Sequence, residues 1–190
     1  MSIVDSQGRV NGTAATLLGL LRRFGPMTGG ELMRAAGVVV GDYWPITRSQ
    51  AYRELTALAE RNLVTAGPLG PRDARPFAIT GTGESAFRAW LAGDPGEDAI
   101  RLPLLLRLVF SDALEPGRLA GLLDAYERRH RAQLENYREL DAQLERREFD
   151  AAARATVSYG IFLEQAVLAW LGSLPPELRA GKPQGANRDP

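Results

Sequence analysis

Leu123, His130, Tyr137 and Leu144 recur every seven residues, and Leu119, Tyr126, Gln133 and Leu140 interleave with them in a second register. The spacing predicts one long helix from Arg118 to about Arg147, with a coiled-coil-like seam of about four heptads. A helix of about 30 residues extends roughly 45 Å, too far for a small body to cover along one stripe. Such a rod requires a partner helix. Some seam positions are polar, which specifies register more than it maximises stability. The partner is expected over about Asp150 to Gly172, after a break at Glu148-Phe149-Asp150. Tyr159, Leu163, Ala166 and Trp170 form one apolar face of that helix, and Val157, Ile161, Leu168 and Leu171 form another. A helix with two apolar faces sits between two packing layers. The arrangement that satisfies both is an antiparallel pair with the long helix, completed by the same pair from a second subunit. The expected dimerisation residues are Leu119, Leu123, Tyr126, His130, Tyr137, Leu140, Leu144, Ile161 and Leu168.

Upstream, the stretch Pro45 to Leu63 has a clear helix start. Thr47 serves as N-cap and Gln50, three residues on, completes a capping box. Ala51, Leu55, Leu58 and Ala59 fall on one stripe, so that side is expected to be buried. Arg48, Ser49, Gln50, Tyr52 and Arg53 crowd the first two turns and mostly point elsewhere. Such side chains hydrogen-bond base edges and phosphates, and a recognition helix sets its N-terminal residues in the major groove. The same residues also suit a solvated surface helix, so the neighbours decide.

Those neighbours are ordered. Thr13 to Phe24 predicts a helix with Leu17, Leu18, Leu21 and Phe24 facing a core, stopped by Gly25-Pro26. Thr28 and Glu31 form another capping box, opening a short helix through Ala36 that Gly37 can end. The connector Val38 to Trp44 is partly buried, with Trp44 pinning the next helix. Three helices in this order form a helix-turn-helix pattern. Leu63 to Ala66 and Phe77 to Thr80 then read as two strands around a Pro-, Gly- and Arg-bearing loop. That is a wing, in which Arg72 and Arg75 reach a phosphate or a minor groove. A plain hairpin with arginines for solubility is the alternative. A further helix starts at Thr80 or Thr82 and ends near Gly93.

These residues resemble the PadR-like transcriptional regulators. Thr16 to Leu21 is similar to that family's opening helix, and Gly29-Gly30-Glu31-Leu32 to its Gly-Tyr-Glu-Leu. Trp44 followed by Ser49 to Leu55 resembles the recognition element. Gly70-Pro71-Arg72 to Phe77 resembles the wing, and Ile79-Thr80 to Trp90-Leu91 the ending that follows it. The match covers most of residues 12–92. The resemblance implies a winged helix-turn-helix repressor that binds a palindromic operator as a dimer. Gly30 replaces the family tyrosine, Asp73 and Ala74 dilute the basic run of the wing, and Phe77 stands for a Tyr.

The 190-residue chain carries 23 basic and 23 acidic side chains, which argues against a general polyanion binder. Residues 1–93 hold ten Arg against seven acids, and residues 94–190 hold 13 basic against 16 acidic residues. A mildly basic half joined to a mildly acidic one fits a DNA-contacting head on a partner-contacting body. There is no Cys and a single His, so neither a disulfide framework nor a zinc site is expected. No signal peptide, membrane span, phosphate loop or catalytic constellation is read, so no cofactor, no membrane and no enzyme activity are expected, and the place of action is the cytoplasm.

The expected fold class is mainly α. A winged helix-turn-helix of three helices and a two-stranded wing occupies residues 1–93, and a helical dimerisation domain residues 94–174. A disordered tail fills 175–190. In the body, Leu102 to Leu114 is apolar on more than one side and is expected to pack on two surfaces. His130 reads as a hydrogen-bonded interface histidine in preference to a pH switch. Trp90 and Trp170 are core residues or line an effector pocket between head and body. The functional expectation is a homodimeric DNA-binding regulator with double-stranded DNA, its own copy and a small hydrophobic or phenolic effector as partners. A winged-helix adaptor that binds protein in place of DNA is the alternative.

Overall fold

A computed structural model describes residues 10–41, 43–70, 75–98, 100–146 and 151–179. The chain divides into two compact units that part between Asp98 and Ala99. This is the far end of the acidic Asp94–Asp98 stretch, where the expected boundary lay at its start.

The N-terminal unit is built on α1 (Gly12–Phe24), whose N-cap Asn11 accepts the Ala14 N–H at 2.9 Å. Leu17, Leu18 and Leu21 are buried as their spacing predicts, whereas Phe24 is 53% exposed. Phe24 is the last helical residue, beyond the reach of the core, and Gly25 turns the chain away with φ 82°. A short β1 (Met27–Thr28) follows. α2 (Gly29–Val39) starts on the expected capping box between Thr28 and Glu31. Gly37 does not end it, because that glycine does not take the left-handed conformation a glycine stop uses.

α3 (Arg48–Glu60) opens on the second complete capping box, Thr47 with Gln50, and buries Ala51, Leu55 and Leu58. These pack with Leu17, Leu18 and Leu21 of α1 and Leu32 and Ala36 of α2 in one core. Each fully buried leucine contributes about 1.5–3 kcal/mol of transfer free energy. Asn62 ends α3 at φ 56°, a region asparagine tolerates. β2 (Val64–Ala66) and β3 (Pro76–Ile79) pair antiparallel, Val64 opposite Ile79 and Thr65 opposite Ala78. β1, which the sequence showed only as the approach to α2, pairs with the other edge of β3 and makes a three-stranded sheet in the order β1-β3-β2. α4 (Gly81–Leu91) is capped by Thr80. The Thr80 hydroxyl donates to the Asn62 carbonyl at 2.8 Å and accepts from the Gly83 N–H, tying the wing to α4. A Cβ on Gly83 would lie 2.0 Å from the Leu63 carbonyl oxygen, so only glycine permits this approach.

The C-terminal unit holds α5 (Pro103–Val109), a 3-10 turn at Ser111–Ala113, α6 (Arg118–Arg146), α7 (Ala151–Ser173) and α8 (Pro176–Arg179). α6 and α7 form the expected antiparallel pair. His130 meets Glu164, Tyr137 meets Gly160 and Asp141 meets Arg154, one index rising as the other falls. Leu104, Leu123 and Leu171 form the buried centre, with Leu119, Tyr126, Leu168 and Trp170 packed around it.

Three expectations are corrected here. First, one residue of the expected dimer contact is out of reach of a second copy: Leu123 is wholly buried in the α6–α7 pair, where Leu119, Tyr126, His130, Tyr137 and Leu168 also pack while staying half-buried. The cause is proximity: α7 begins a few residues after α6 ends, so the pair closes within the chain. Leu140, Leu144 and Ile161 are half-buried. Second, α5 packs on one surface only: Leu104 is buried, while Leu106, Val109 and Phe110 are exposed. Third, the chain stays ordered past residue 175. Leu178 joins the core cluster, and Arg179 bonds Glu127 at 2.8 Å and the Leu171 carbonyl at 2.9 Å, which docks α8. The expected break at 148–150, the wing residue Arg72 and the remainder of the tail lie outside the described residues. No helix among the described residues is long and apolar enough to cross a membrane.

Candidate nucleic-acid interface

The outward face of α3 follows from its buried one. Ala51, Leu55 and Leu58 fix the rotation of the helix, which leaves Arg48, Ser49, Tyr52 and Arg53 exposed on the other side. Arg53 makes no hydrogen bond or ion pair among the described residues. Its guanidinium therefore keeps all its donors available for a planar acceptor. Glu54, the only acid in α3 before Glu60, is turned back: its Oε1 accepts from Asn11 Nδ2 at 3.0 Å. Asn11 thus caps α1 with one amide atom and anchors α3 with the other. The exposed positive charge of the first two turns is left without a competing carboxylate.

Gln50 takes the first of the two roles its sequence position suggested, cap partner and base reader. Its Oε1 accepts from the Thr47 N–H at 2.9 Å and from the Thr47 hydroxyl at 2.8 Å. That half of the amide is committed to the helix cap, so Gln50 holds the helix start and is a poor candidate for bidentate base reading. The Ser49 hydroxyl lies 3.3 Å from that of Thr47.

Tyr52 is also partly spoken for. Its ring lies over Gly29 at the start of α2, where a Cβ would come within 2.7 Å of Cζ and the hydroxyl oxygen. The Arg48 guanidinium is 5.6 Å from the Tyr52 ring centroid, within the range of a cation–π contact. Tyr52 thus positions α3 against α2 and restrains Arg48. Trp44 acts in the same way at the other end of the turn. Its indole covers Gly12, where a Cβ would fall 2.3 Å from Cζ2. The contact holds the residues that precede α3 against the start of α1. On the wing, Arg75 is exposed and its Nε donates to the Gly67 carbonyl at 2.9 Å. The bond ties the returning strand to the outgoing one and leaves the terminal nitrogens for another acceptor.

The sequence reading missed Asn11, Gly12 and Gly29. The N-cap role of Asn11 was legible, since Asn precedes an apolar helix. The two glycines carry no local signal, because what they accommodate is an aromatic ring arriving from a distant position.

Trp90 and Trp170, expected to share a pocket, belong to different units. Trp90 on α4 is 43% exposed. Trp170 on α7 lines a cavity whose walls are all C-terminal residues.

Several comparisons bear on this arrangement. The family described as "Virulence activator alpha C-term" has a model that matches residues 100–178. No curated protein matches the sequence. Among solved structures, Bacillus subtilis PadR in complex with operator DNA is 19% identical, with a TM-score of 0.70 over 86% of this chain and 97% of that one. The same protein in complex with p-coumaric acid is also 19% identical, with a TM-score of 0.64 over 84% and 94%. The Vibrio cholerae virulence activator AphA is 21% identical, with a TM-score of 0.65 over 89% and 96%. The architecture built above, a three-stranded winged helix-turn-helix followed by a long antiparallel helix pair, is the fold of the PadR-like transcriptional regulators.

Proposed function

We propose that this chain is a DNA-binding transcriptional regulator that works in the cytoplasm as a homodimeric repressor, with α3 as its recognition helix. The observation that carries this reading is the outer face of α3, where Arg48, Ser49 and Arg53 stand exposed and Glu54 is drawn away. Arg53 is the base-reading or phosphate-binding residue, Arg48 is held beside it on Tyr52, and Arg72 and Arg75 supply backbone contacts from the wing. Gln50 and Tyr52 shape the helix and contribute contacts second.

The C-terminal unit supplies the second copy's contact. On α7, Tyr159, Phe162 and Leu163 are exposed at helical spacing, and Leu106 and Val109 of α5, with Phe110 just after it, are exposed as well. Apolar side chains gathered on one unit in this way mark an association surface. A two-fold dimer through this face, with half-buried Leu140, Leu144 and Ile161 at its margin, presents two recognition helices to successive major grooves about 34 Å apart. A small-molecule effector releases the operator. The Bacillus subtilis PadR structures with operator DNA and with p-coumaric acid support both halves of this reading by likeness of fold.

The test is a titration of the protein against duplexes drawn from the DNA upstream of its own gene, repeated over a salt series. Saturable binding should weaken steeply as salt rises, with a slope of about −0.9 per phosphate neutralised. Absence of a shift, or a flat salt response, overturns the reading and favours the adaptor.

A further inference from the structure

Glu164 is the one acidic residue of α7, and its side chain is only 9% exposed. Its hydrogen-bond partner is His130 of α6, whose Nδ1 meets Glu164 Oε2 and whose side chain is 15% exposed. The imidazole Nε2 is buried with no hydrogen-bond partner among the described residues. DNA binding makes no use of this pair.

The charged groups around the pair are engaged elsewhere. On α6, Arg131 bonds Glu127, and the Arg129 guanidinium lies 4.7 Å from the centroid of the Tyr126 ring. On α8, Arg179 bonds Glu127 at 2.8 Å and reaches Asp124 at 3.7 Å, and Glu177 is exposed. On α7, Arg154 is turned to Asp141 and Glu145. Arg107 of α5 and Arg128 of α6 are exposed. The aromatic neighbours bring no charge: the Tyr126 ring is 4.2 Å from that of His130 between centroids, and Tyr137 lies over Gly160. The charge of Glu164 is therefore balanced in place only by a proton on the pair itself.

We propose that His130 and Glu164 form a one-proton lock on the α6–α7 pair, closed while they hold that proton and opened when it leaves as pH rises. Two opposed costs set the lock. With the proton, Nε2 carries an N–H that has no acceptor. This is so for an imidazolium facing a carboxylate and for a neutral ring accepting from a carboxyl. Without the proton, an ionised carboxylate stays beside a neutral ring inside a helix interface. An uncompensated buried charge costs more than an unpaired neutral donor, so the folded pair keeps its proton. The unpaired N–H opposes that hold, which makes the pair a lock that opens and not a permanent ion pair. In an unfolded chain, histidine has lost its proton above about pH 6.5 and glutamate above about pH 4.3. The folded chain then binds a proton that the unfolded chain does not, and the stability it contributes falls as pH rises.

The chain has one histidine and no cysteine, so few side chains compete in the range from about pH 6 to about pH 9. Hydrogen exchange of the full chain, corrected for intrinsic exchange, is read at the amides of Leu123 and Leu134 on α6 and Leu171 on α7. Protection should fall by at least about tenfold from about pH 6 to about pH 9. The imidazole nitrogen resonances, which report His130 alone, should change in a single step over the same range. In Glu164→Gln, whose amide can bond a neutral ring, protection should be flat and the imidazole step should move to lower pH. The double variant His130→Leu with Glu164→Leu replaces the pair by apolar side chains, a change that buried ion pairs often tolerate. Its protection should also be flat, and it stands in if the first variant does not fold. Flat protection in the parent, or an undiminished pH dependence in a folded variant, overturns the proposal. An imidazole step at the same pH in the parent and in Glu164→Gln also overturns it, since the bond would then be a structural contact alone.

Discussion

The ring of Tyr52 rests on Gly29, with room for a hydrogen and none for a methyl group: a Cβ there would lie 2.7 Å from Cζ. This contact joins the start of α2 to the outer face of α3 and places the Tyr52 ring beneath Arg48. Gly29→Ala should therefore destabilise the N-terminal unit by about 1–3 kcal/mol, the range for overpacking. Most of that cost should vanish in a Tyr52→Ala background, where the ring is absent. Thermal or denaturant unfolding of the four members of this cycle measures the coupling. Simple additivity of the two substitutions would show that the contact does not set the angle of α3.

Arg53 is exposed and uncommitted among the described residues, so its donors need no release before they meet DNA. Arg53→Ala should weaken operator binding by about 1–3 kcal/mol and leave stability within about 0.5 kcal/mol. Gln50→Ala should behave in the opposite sense. Its carbonyl holds the Thr47 N–H and hydroxyl, and losing a cap partner costs about 0.5–2 kcal/mol of stability. Titration at fixed salt, paired with unfolding of each variant, separates the two roles. Equal binding by wild type and Arg53→Ala would remove Arg53 from the interface.

How much of this was legible in the sequence depends on the range of the interaction. Capping boxes at Thr28–Glu31 and Thr47–Gln50 were legible because both partners lie within one turn. The buried stripe of α3 and the wing strands were legible because periodicity is local. β1 was not, because two residues carry no period and their pairing is decided by β3 arriving from far along the chain. The heptads showed that α6 needs a partner helix. The apolar stretch from about Asp150 to Gly172 named that partner, and what the heptads could not show is which seam residues the pair leaves for a second copy. Leu123 falls wholly inside its own subunit, whereas Tyr159 and Leu163 of α7 stay exposed. Gly12, Gly29 and Gly160 were silent for a related reason: each matters only because Trp44, Tyr52 or Tyr137 lies against it.

Acid should loosen the C-terminal end first. The Arg179 hydrogen bond, seconded by Arg131, holds the Glu127 carboxyl below its ordinary value. A carboxylate with a depressed folded-state pKa contributes stability that is complete above its unfolded-state pKa and is lost as pH falls through the folded one. Docking of α8 should therefore be intact near neutrality and fail progressively below about pH 5. Glu31 is lowered by its backbone and side-chain hydrogen bonds to Thr28, so the start of α2 should weaken in the same direction. Hydrogen exchange at Leu178 and Arg179, followed from pH 7 to pH 4 and corrected for intrinsic exchange, reads the first effect. Arg179→Ala should remove the pH dependence at these amides, and its persistence in that variant would assign the acid response elsewhere.

The last prediction separates the core of the helix pair from the surface assigned to the second copy. Leu123 is wholly buried and Phe162 is 67% exposed, although both are large apolar residues of the same unit. Leu123→Ala leaves a cavity and should cost about 2–5 kcal/mol of stability. Phe162→Glu removes no intramolecular core and should leave the unfolding midpoint of the monomer nearly unchanged. It does place a charge where the dimer would bury an aromatic ring, and an unpaired buried charge opposes association strongly. Sedimentation of Phe162→Glu should give the mass of one chain at concentrations where the parent gives two. Its affinity for a two-half-site operator should fall far more than its affinity for a single half-site, because the linkage between two recognition helices is lost. A Phe162→Glu protein that still sediments as a dimer would move the interface to another face of the C-terminal unit, while a monomer that keeps full operator affinity would remove the two-fold arrangement from the mechanism.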